Sequence, residues 1–144
     1  MNLDELKVMI KKDLEIDQTA LDTESSKTPQ LHNKYLVMFM DERLKLKKIK
    51  NELAVLRRNK WLYYTGRLSK EELQQFGWEP FELNILKNEA DQMIESDSDY
   101  IKIEEKVNFQ TEKVNYLENV VKIINNRQWQ IRSIIDWLKF TQGV

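Results

Sequence analysis

The C-terminal part of the chain decides the fold. Residues 100–138 read YIKIEEKVNFQTEKVNYLENVVKIINNRQWQIRSIIDWL. Positions 100, 103, 107, 110, 114, 117, 121, 124, 128, 131, 135 and 138 alternate in steps of three and four, and ten of these twelve are apolar. This heptad pattern predicts a long helix that packs against other helices in coiled-coil fashion. The residues that we assign to a seam for self-association are Val107, Val114, Leu117, Val121, Ile124, Ile131, Ile135 and Leu138.

A second apolar row beside the heptad positions makes this face wider than a two-stranded seam requires. It consists of Phe109, Tyr116, Val120, Ile123, Ile134 and Trp137. Several helices must therefore cover the face. They can come from the same chain, or from other copies assembled into a ring or barrel. We predict the assembly of copies, and internal cover is the alternative.

The composition favours long helices and excludes several classes of protein. Only 3 Gly and 2 Pro occur in 144 residues, so helix breakers are rare. The absence of cysteine excludes a disulfide scaffold, a thiolate zinc site and a thiol nucleophile. No secretory signal and no run of 18 apolar residues is present, so we expect a soluble intracellular protein.

Capping motifs and breakers divide the rest of the chain into helices. Asn2 with Glu5 has the capping-box spacing and opens a short helix that ends near residue 16. Residues 17–30 are polar and predict a connection, and residues 31–65 predict a long helix that Gly66 ends. Ser69 opens a short helix to about residue 75, and Pro80 can start the next helix.

We therefore predict one all-α domain over residues 1–144. Residues 1–95 form its N-terminal helical part, which contains the basic helix 31–65. Residues 96–144 form a C-terminal helix for oligomerisation, with residues 96–99 as either its cap or a polar kink.

Positive charge is concentrated in one short segment. The net charge of the chain is −1, but residues 43–67 contain nine basic residues and one acid, giving +8. Arg43, Lys47, Lys50 and Arg57 fall within about 80° on the predicted helix, and Trp61 lies on the same line. Cations in a row neutralise phosphates, and aromatic rings stack on unpaired bases, so this segment indicates a single-stranded nucleic acid.

Lys60 does not fit the basic row. A regular helix places it in line with the apolar residues Leu46, Ile49, Leu53 and Leu56. Because a charge is costly in a core, either the helix breaks near residue 59 or Lys60 faces a polar crevice or a partner.

Simpler interpretations of the same residues stay open. A lysine-rich face is often only solvated, and the aromatic residues that follow it can be part of the core. Bond-making chemistry is not indicated, because His32 is the only histidine and no Gly-rich phosphate loop occurs. Asp97 and Asp99 are more simply a helix cap than a metal site. We expect no enzyme, no cofactor and no metal.

The segment Arg58-Asn-Lys60-Trp-Leu-Tyr63-Tyr64-Thr-Gly66-Arg67 resembles the signature of the UvsY family of T-even-like phages. That signature joins two alternating basic residues to Tyr-Tyr-[Ser/Thr]-Gly. The similarity extends to residues 13–21 and, weakly, to the C-terminal helix. The chain departs from the pattern at Trp61-Leu62, where an aliphatic residue followed by an acid is expected.

The resemblance implies a non-enzymatic recombination mediator. Such a protein binds single-stranded DNA and loads a phage RecA-like recombinase onto DNA covered by single-strand-binding protein, in the cytoplasm of the infected bacterial host. The resemblance also implies a ring of six or seven subunits. Arg58 and Lys60 inherit the DNA-binding role, whereas Tyr63, Tyr64 and Gly66 can instead shape the turn.

Together, the basic row and the resemblance give a set of candidate DNA-binding residues. They are Arg43, Lys47, Lys50, Arg57, Arg58, Lys60, Trp61, Tyr63, Tyr64 and Arg67. Whether Trp61 stacks on bases or fills a pocket stays open. The alternative function is that of a structural coiled-coil adaptor whose basic row binds an acidic protein.

Overall fold

The fold is all-helical. The computed structural model describes residues 1–143, and within that range it contains six helices and no strand. The prediction of an all-α fold is therefore confirmed. The helices are α1 (Leu3–Leu14), α2 (Leu21–Tyr64), α3 (Lys70–Phe76), α4 (Lys87–Glu95), α5 (Ser98–Asn125) and α6 (Arg127–Gln142).

The predicted helix starts at Asn2 and Ser69 are confirmed. The Asn2 side chain accepts from the backbone N–H of Glu5 at 2.8 Å, and the Glu5 carboxylate accepts from the Asn2 N–H at 3.0 Å. Ser69 and Glu72 make the same reciprocal pair at the start of α3. Each box satisfies two N–H groups that the first helical turn leaves without partners.

Helix α2 begins about ten residues earlier than predicted, and the expected connection is confined to residues 15–20. Pro29 lies inside this helix, where its missing N–H leaves the Ser25 carbonyl without the usual partner. Gln128 Nε2 donates to that carbonyl at 3.1 Å, and the Arg127 guanidinium donates to the Glu24 carbonyl at 3.0 Å. The Gln128 side chain thus supplies the donor that Pro29 lacks, and Arg127 adds a bond to the neighbouring carbonyl.

The predicted helix from Pro80 is wrong, because residues 77–86 are not helical and α4 begins only at Lys87. The reason lies in the packing of Phe81. Its ring meets Tyr64 edge-on with a centroid distance of 4.9 Å and lies 5.8 Å from Tyr63. Phe81 thus anchors an irregular segment where a helix was predicted.

The last helical segment is capped at its start and interrupted once. Asp97 Oδ1 accepts from the backbone N–H groups of Asp99 and Tyr100 at 2.9 and 3.1 Å, so residues 96–99 are a cap. The interruption falls at Asn126, which separates α5 from α6 with φ −92° and ψ 0°. The heptad pattern did not predict this interruption, because Asn126 lies outside the apolar row.

The described chain consists of two compact units. The first contains Met1–Leu44 and the chain from Thr111 onward, and the second is Lys45–Gln110. In the first unit, α1 packs its buried residues against α2 and α5. The buried cluster consists of Leu6, Ile10, Tyr35, Leu117, Val120 and Ile124. The buried apolar residues of the second unit are Leu46, Ala90, Ile94, Tyr100 and Val107.

The heptad residues are largely covered within the chain itself. Among the eight residues assigned to the seam, those that are buried are Val107, Val114, Leu117, Ile124 and Ile131. The other three, Val121, Ile135 and Leu138, are half-buried. In this conformation the five buried residues have no surface to offer a second copy. Their part in self-association stays a prediction that would require the packing to open.

Candidate nucleic-acid interface

Lys60 faces a polar crevice, which was one of the two alternatives for it. Helix α2 continues without a break to Tyr64, and Lys60 is only 3% exposed. Its ammonium lies 3.1 Å from Asp97 Oδ2 and 2.9 Å from Asp99 Oδ2. The same ammonium lies 3.9 Å from the centroid of the Trp78 ring. Two carboxylates and an aromatic face thus compensate the charge that the crevice removes from water.

Tyr64 belongs to the same buried network. Its hydroxyl donates to Asp97 Oδ2 at 2.5 Å. Burial and this bond to a carboxylate raise the pKa of Tyr64, which therefore stays protonated. Burial alone would raise the pKa of Asp97, but the bonds from Tyr64, the Tyr100 N–H and Lys60 outweigh it and lower that pKa. Asp97 is therefore an ionised carboxylate that joins the end of α2 to the start of α5.

Tyr63 holds the irregular segment after α3. Its hydroxyl donates to the Glu79 carbonyl at 2.6 Å, and its ring lies 5.2 Å from Trp78 between centroids. The ring also meets Tyr64 edge-on at 5.0 Å. The Tyr-Tyr pair therefore packs against residues 78–81 of the same unit.

Gly66 shapes the end of α2. Its N–H donates to the Tyr63 carbonyl at 3.1 Å, and the Arg67 N–H donates to the Leu62 carbonyl at 2.9 Å. These two bonds form a Schellman motif, which requires a left-handed residue, and Gly66 has φ +70°. Arg67, directed by this turn, lies with its guanidinium 4.7 Å from the Trp61 ring centroid.

The other candidate cations differ in their surroundings. Lys47, Lys50 and Arg58 are exposed on the part of α2 that belongs to the second unit. Arg57 is half-buried and pairs with Asp91 at 3.1 Å. Arg43 is exposed in the first unit, with its guanidinium 5.1 Å from the centroid of the Phe39 ring. Of the predicted set, the exposed cations that α2 carries in the second unit are these two lysines and Arg58, and they share one side of the helix; Arg67, which follows α2, is also exposed.

A groove that the sequence did not indicate lies beside this surface. It has a volume of about 470 Å³ and runs between α2 and the aromatic pair Phe76 and Trp78. The two rings stack with a centroid distance of 4.6 Å and an interplanar angle of 23°. The residues that line the groove on the α2 side are Lys48, Asn51, Glu52, Val55, Leu56 and Asn59. In the sequence, the only indication of this groove was Val55, an apolar residue that lies outside the row of core-facing residues on α2.

Residues 1–143 contain no group of three or more His, Cys, Asp or Glu side chains arranged to hold a metal ion. Within the same range, no helix has the length and apolar character needed to cross a membrane.

The fold and this surface define an all-helical protein with exposed cations along one long helix. The model of the UvsY family, described as recombination, repair and ssDNA binding protein UvsY, matches residues 9–144. The chain belongs to the UvsY family.

Individual relatives agree with the family over the whole chain. The recombination protein uvsY of Enterobacteria phage T4 is 24% identical over 143 residues, which cover 99% of both chains. Two crystal structures of the phage T4 recombination mediator protein UvsY have TM-scores of 0.82 and 0.81, with 23% and 21% identity. The first match covers 99% of both chains, and the second covers 98% of this chain and 99% of that one. At this level of identity the structures establish the shared fold.

Proposed function

We propose that this chain is a recombination mediator without enzymatic activity. It binds single-stranded DNA regardless of sequence and promotes the loading of a phage RecA-like recombinase onto DNA covered by single-strand-binding protein. The observation that carries the proposal is the row of exposed cations on α2, in a chain whose family is described by single-stranded DNA binding. The relative named a recombination mediator supports the finer part of the proposal.

The phosphate contacts are made by the exposed cations of the second unit. Lys47, Lys50, Arg58 and Arg67 are exposed, so a phosphate can replace the water around each of these charges. Neutralising phosphates releases condensed counterions, so binding is strong at low salt and insensitive to base sequence. Lys60 and Arg57 act differently, because their charges already face carboxylates. These two residues hold the exposed side of α2 in position through their ion pairs.

Self-association multiplies these contacts. Trp129, Trp137 and Phe140 are 68%, 63% and 79% exposed, and all three lie on α6. Large exposed aromatic residues are enriched where proteins bind one another. We therefore assign the contact between copies to this side of α6, in a ring of six or seven subunits. A strand bound by several subunits gains affinity through effective concentration, and its curved path disfavours the geometry needed by single-strand-binding protein.

Salt dependence tests the DNA-binding part. With about four phosphates neutralised per subunit, the slope of log K against log salt should be about −3 per subunit. Lys47→Ala combined with Lys50→Ala should make that slope about 1.4 smaller in magnitude, measured by anisotropy of a labelled oligo(dT). The matched control is Lys87→Ala with Lys102→Ala, which removes two exposed lysines of the same unit that lie outside α2.

Three results would contradict the proposal. An affinity that does not change with salt would exclude phosphate contacts. An intact oligomer that ignores oligo(dT) at low salt would favour the adaptor that binds an acidic protein. DNA binding without faster ATP hydrolysis by a RecA-like recombinase on protein-covered DNA would refute the loading function. Light scattering of Trp137→Asp, compared with Lys139→Asp on the same helix, tests whether α6 joins the copies.

A further inference from the structure

The aromatic residues of segment 58–67, which carries the resemblance to the family signature, are engaged within the second unit. The Tyr63 hydroxyl donates to the Glu79 carbonyl, and the Tyr64 hydroxyl donates to Asp97. The guanidinium of Arg67 lies over the ring of Trp61. These three rings already have partners within the chain, so they are not the exposed surface on which an unpaired base can stack.

The groove beside α2 offers such a surface. Phe76 is 37% exposed and stacks on Trp78, and the groove runs past both rings. Val55, on the α2 side, is 60% exposed. Lys60 fixes the platform, because its ammonium lies 3.9 Å from the Trp78 ring centroid. The volume of about 470 Å³ is within the range of about 300–1,000 Å³ typical of small-molecule sites.

The charges around the groove are arranged asymmetrically. With 100° per residue, Arg58 and Lys47 lie about 60° and 80° from Val55 on one side of it. On the other side of Val55, Lys48 lies about 20° and Glu52 about 60° away, and both line the groove. A polyanion is therefore attracted along the first edge, whereas on the second side the charges of Lys48 and Glu52 offset each other. Asn51 and Asn59, whose amides can donate and accept, line the groove between them.

We infer that this groove binds an unpaired nucleobase, which stacks on Phe76 while its strand follows the Arg58 and Lys47 edge. The inference rests on the proposed function and adds a base-binding site to it. Aromatic rings stack on every base, so the site binds single strands without reading their sequence. The cationic edge favours a nucleic acid over an apolar peptide, which would gain nothing from these charges.

The experiment compares labelled oligo(dT) with an abasic strand of equal length, which keeps the phosphates and lacks the bases. The wild-type protein should bind oligo(dT) more tightly by about 5- to 150-fold for each stacked base. Phe76→Ala should remove that preference and leave affinity for the abasic strand and the salt slope unchanged. Phe76→Trp should retain the preference. Phe109→Ala is the matched control, because Phe109 is a 54% exposed phenylalanine of the same unit.

Several results would overturn the inference. Equal binding of both strands by the wild-type protein would show that no base is held. A preference that survives Phe76→Ala would place the bases elsewhere. Loss of a recombinase contact in Phe76→Ala, with oligo(dT) binding unchanged, would make the groove a protein-docking site. Failure of the wild-type protein to bind either strand would instead refute the proposed function, so the two failures are distinguishable.

Discussion

Replacing Lys60 with methionine should destabilise the protein by about 3 kcal/mol. Methionine keeps most of the apolar stem and removes the ammonium, which is buried between two carboxylates and a tryptophan ring. Removing one partner of a buried ion pair costs about 3–5 kcal/mol, because the other charge stays in the interior. Asp97 keeps its bonds from the Tyr64 hydroxyl and the Tyr100 N–H, which favours the lower end of this range.

Urea unfolding at a fixed subunit concentration measures this effect, because self-association would make the transition depend on concentration. The matched control is Arg58→Met, two residues earlier on the same helix and exposed. It should change the free energy of unfolding by less than about 0.5 kcal/mol. An unchanged urea midpoint in Lys60→Met would refute the buried network. A double-mutant cycle that combines Lys60→Met with Asp97→Asn should show non-additive losses of stability, because both variants remove the same contact.

Two further predictions concern the same end of α2. Gly66→Ala should cost about 1–2 kcal/mol in urea unfolding, because φ +70° is strained for alanine although no atom lies within 4 Å of its added Cβ; an unchanged midpoint would contradict the left-handed turn. The folded-state pKa of Asp97 is lowered from 3.8, so its contribution to stability is complete above that value and is lost as the pH falls through the folded-state pKa. Urea titrations from pH 6 to pH 2 measure the free energy of unfolding. As the pH falls, this free energy should decrease more in the wild-type protein than in Asp97→Asn. Equal decreases in the two proteins would assign the acid sensitivity to other carboxylates.

Local sequence signals predicted the helix ends well. The capping boxes at Asn2 and Ser69, the stop at Gly66 and the cap at Asp97 each depend on residues within a few positions of one another. Such signals can be seen in the sequence, because the bonds that they make are local. The exposed lysines of α2 were predictable for a similar reason, since their spacing in the sequence places them on one side of the helix.

Features that depend on distant residues could not be predicted. Pro29 is tolerated inside α2 because Gln128, 99 positions later, supplies a donor to the Ser25 carbonyl. The irregular segment 77–86 forms because Phe81 packs on Tyr63 and Tyr64 at the end of α2. Likewise, the apolar seam of α5 is covered within the chain, which the heptad pattern allowed but did not require.

Arg58 and Lys60, the alternating basic pair of the signature, have different roles because they lie on different sides of α2. Residues two positions apart on a helix point about 200° from each other, so Arg58 and Lys60 cannot both contact a strand on one face. Arg58 is exposed, whereas Lys60 is buried against Asp97 and Trp78. We therefore expect Arg58→Met to reduce the salt slope of DNA binding. Lys60→Met should instead reduce the preference for oligo(dT) over an abasic strand, because Trp78 loses the cation that holds the stacking platform. Equal salt slopes in the two variants would mean that Lys60 and Arg58 have the same role in DNA binding despite the burial of Lys60.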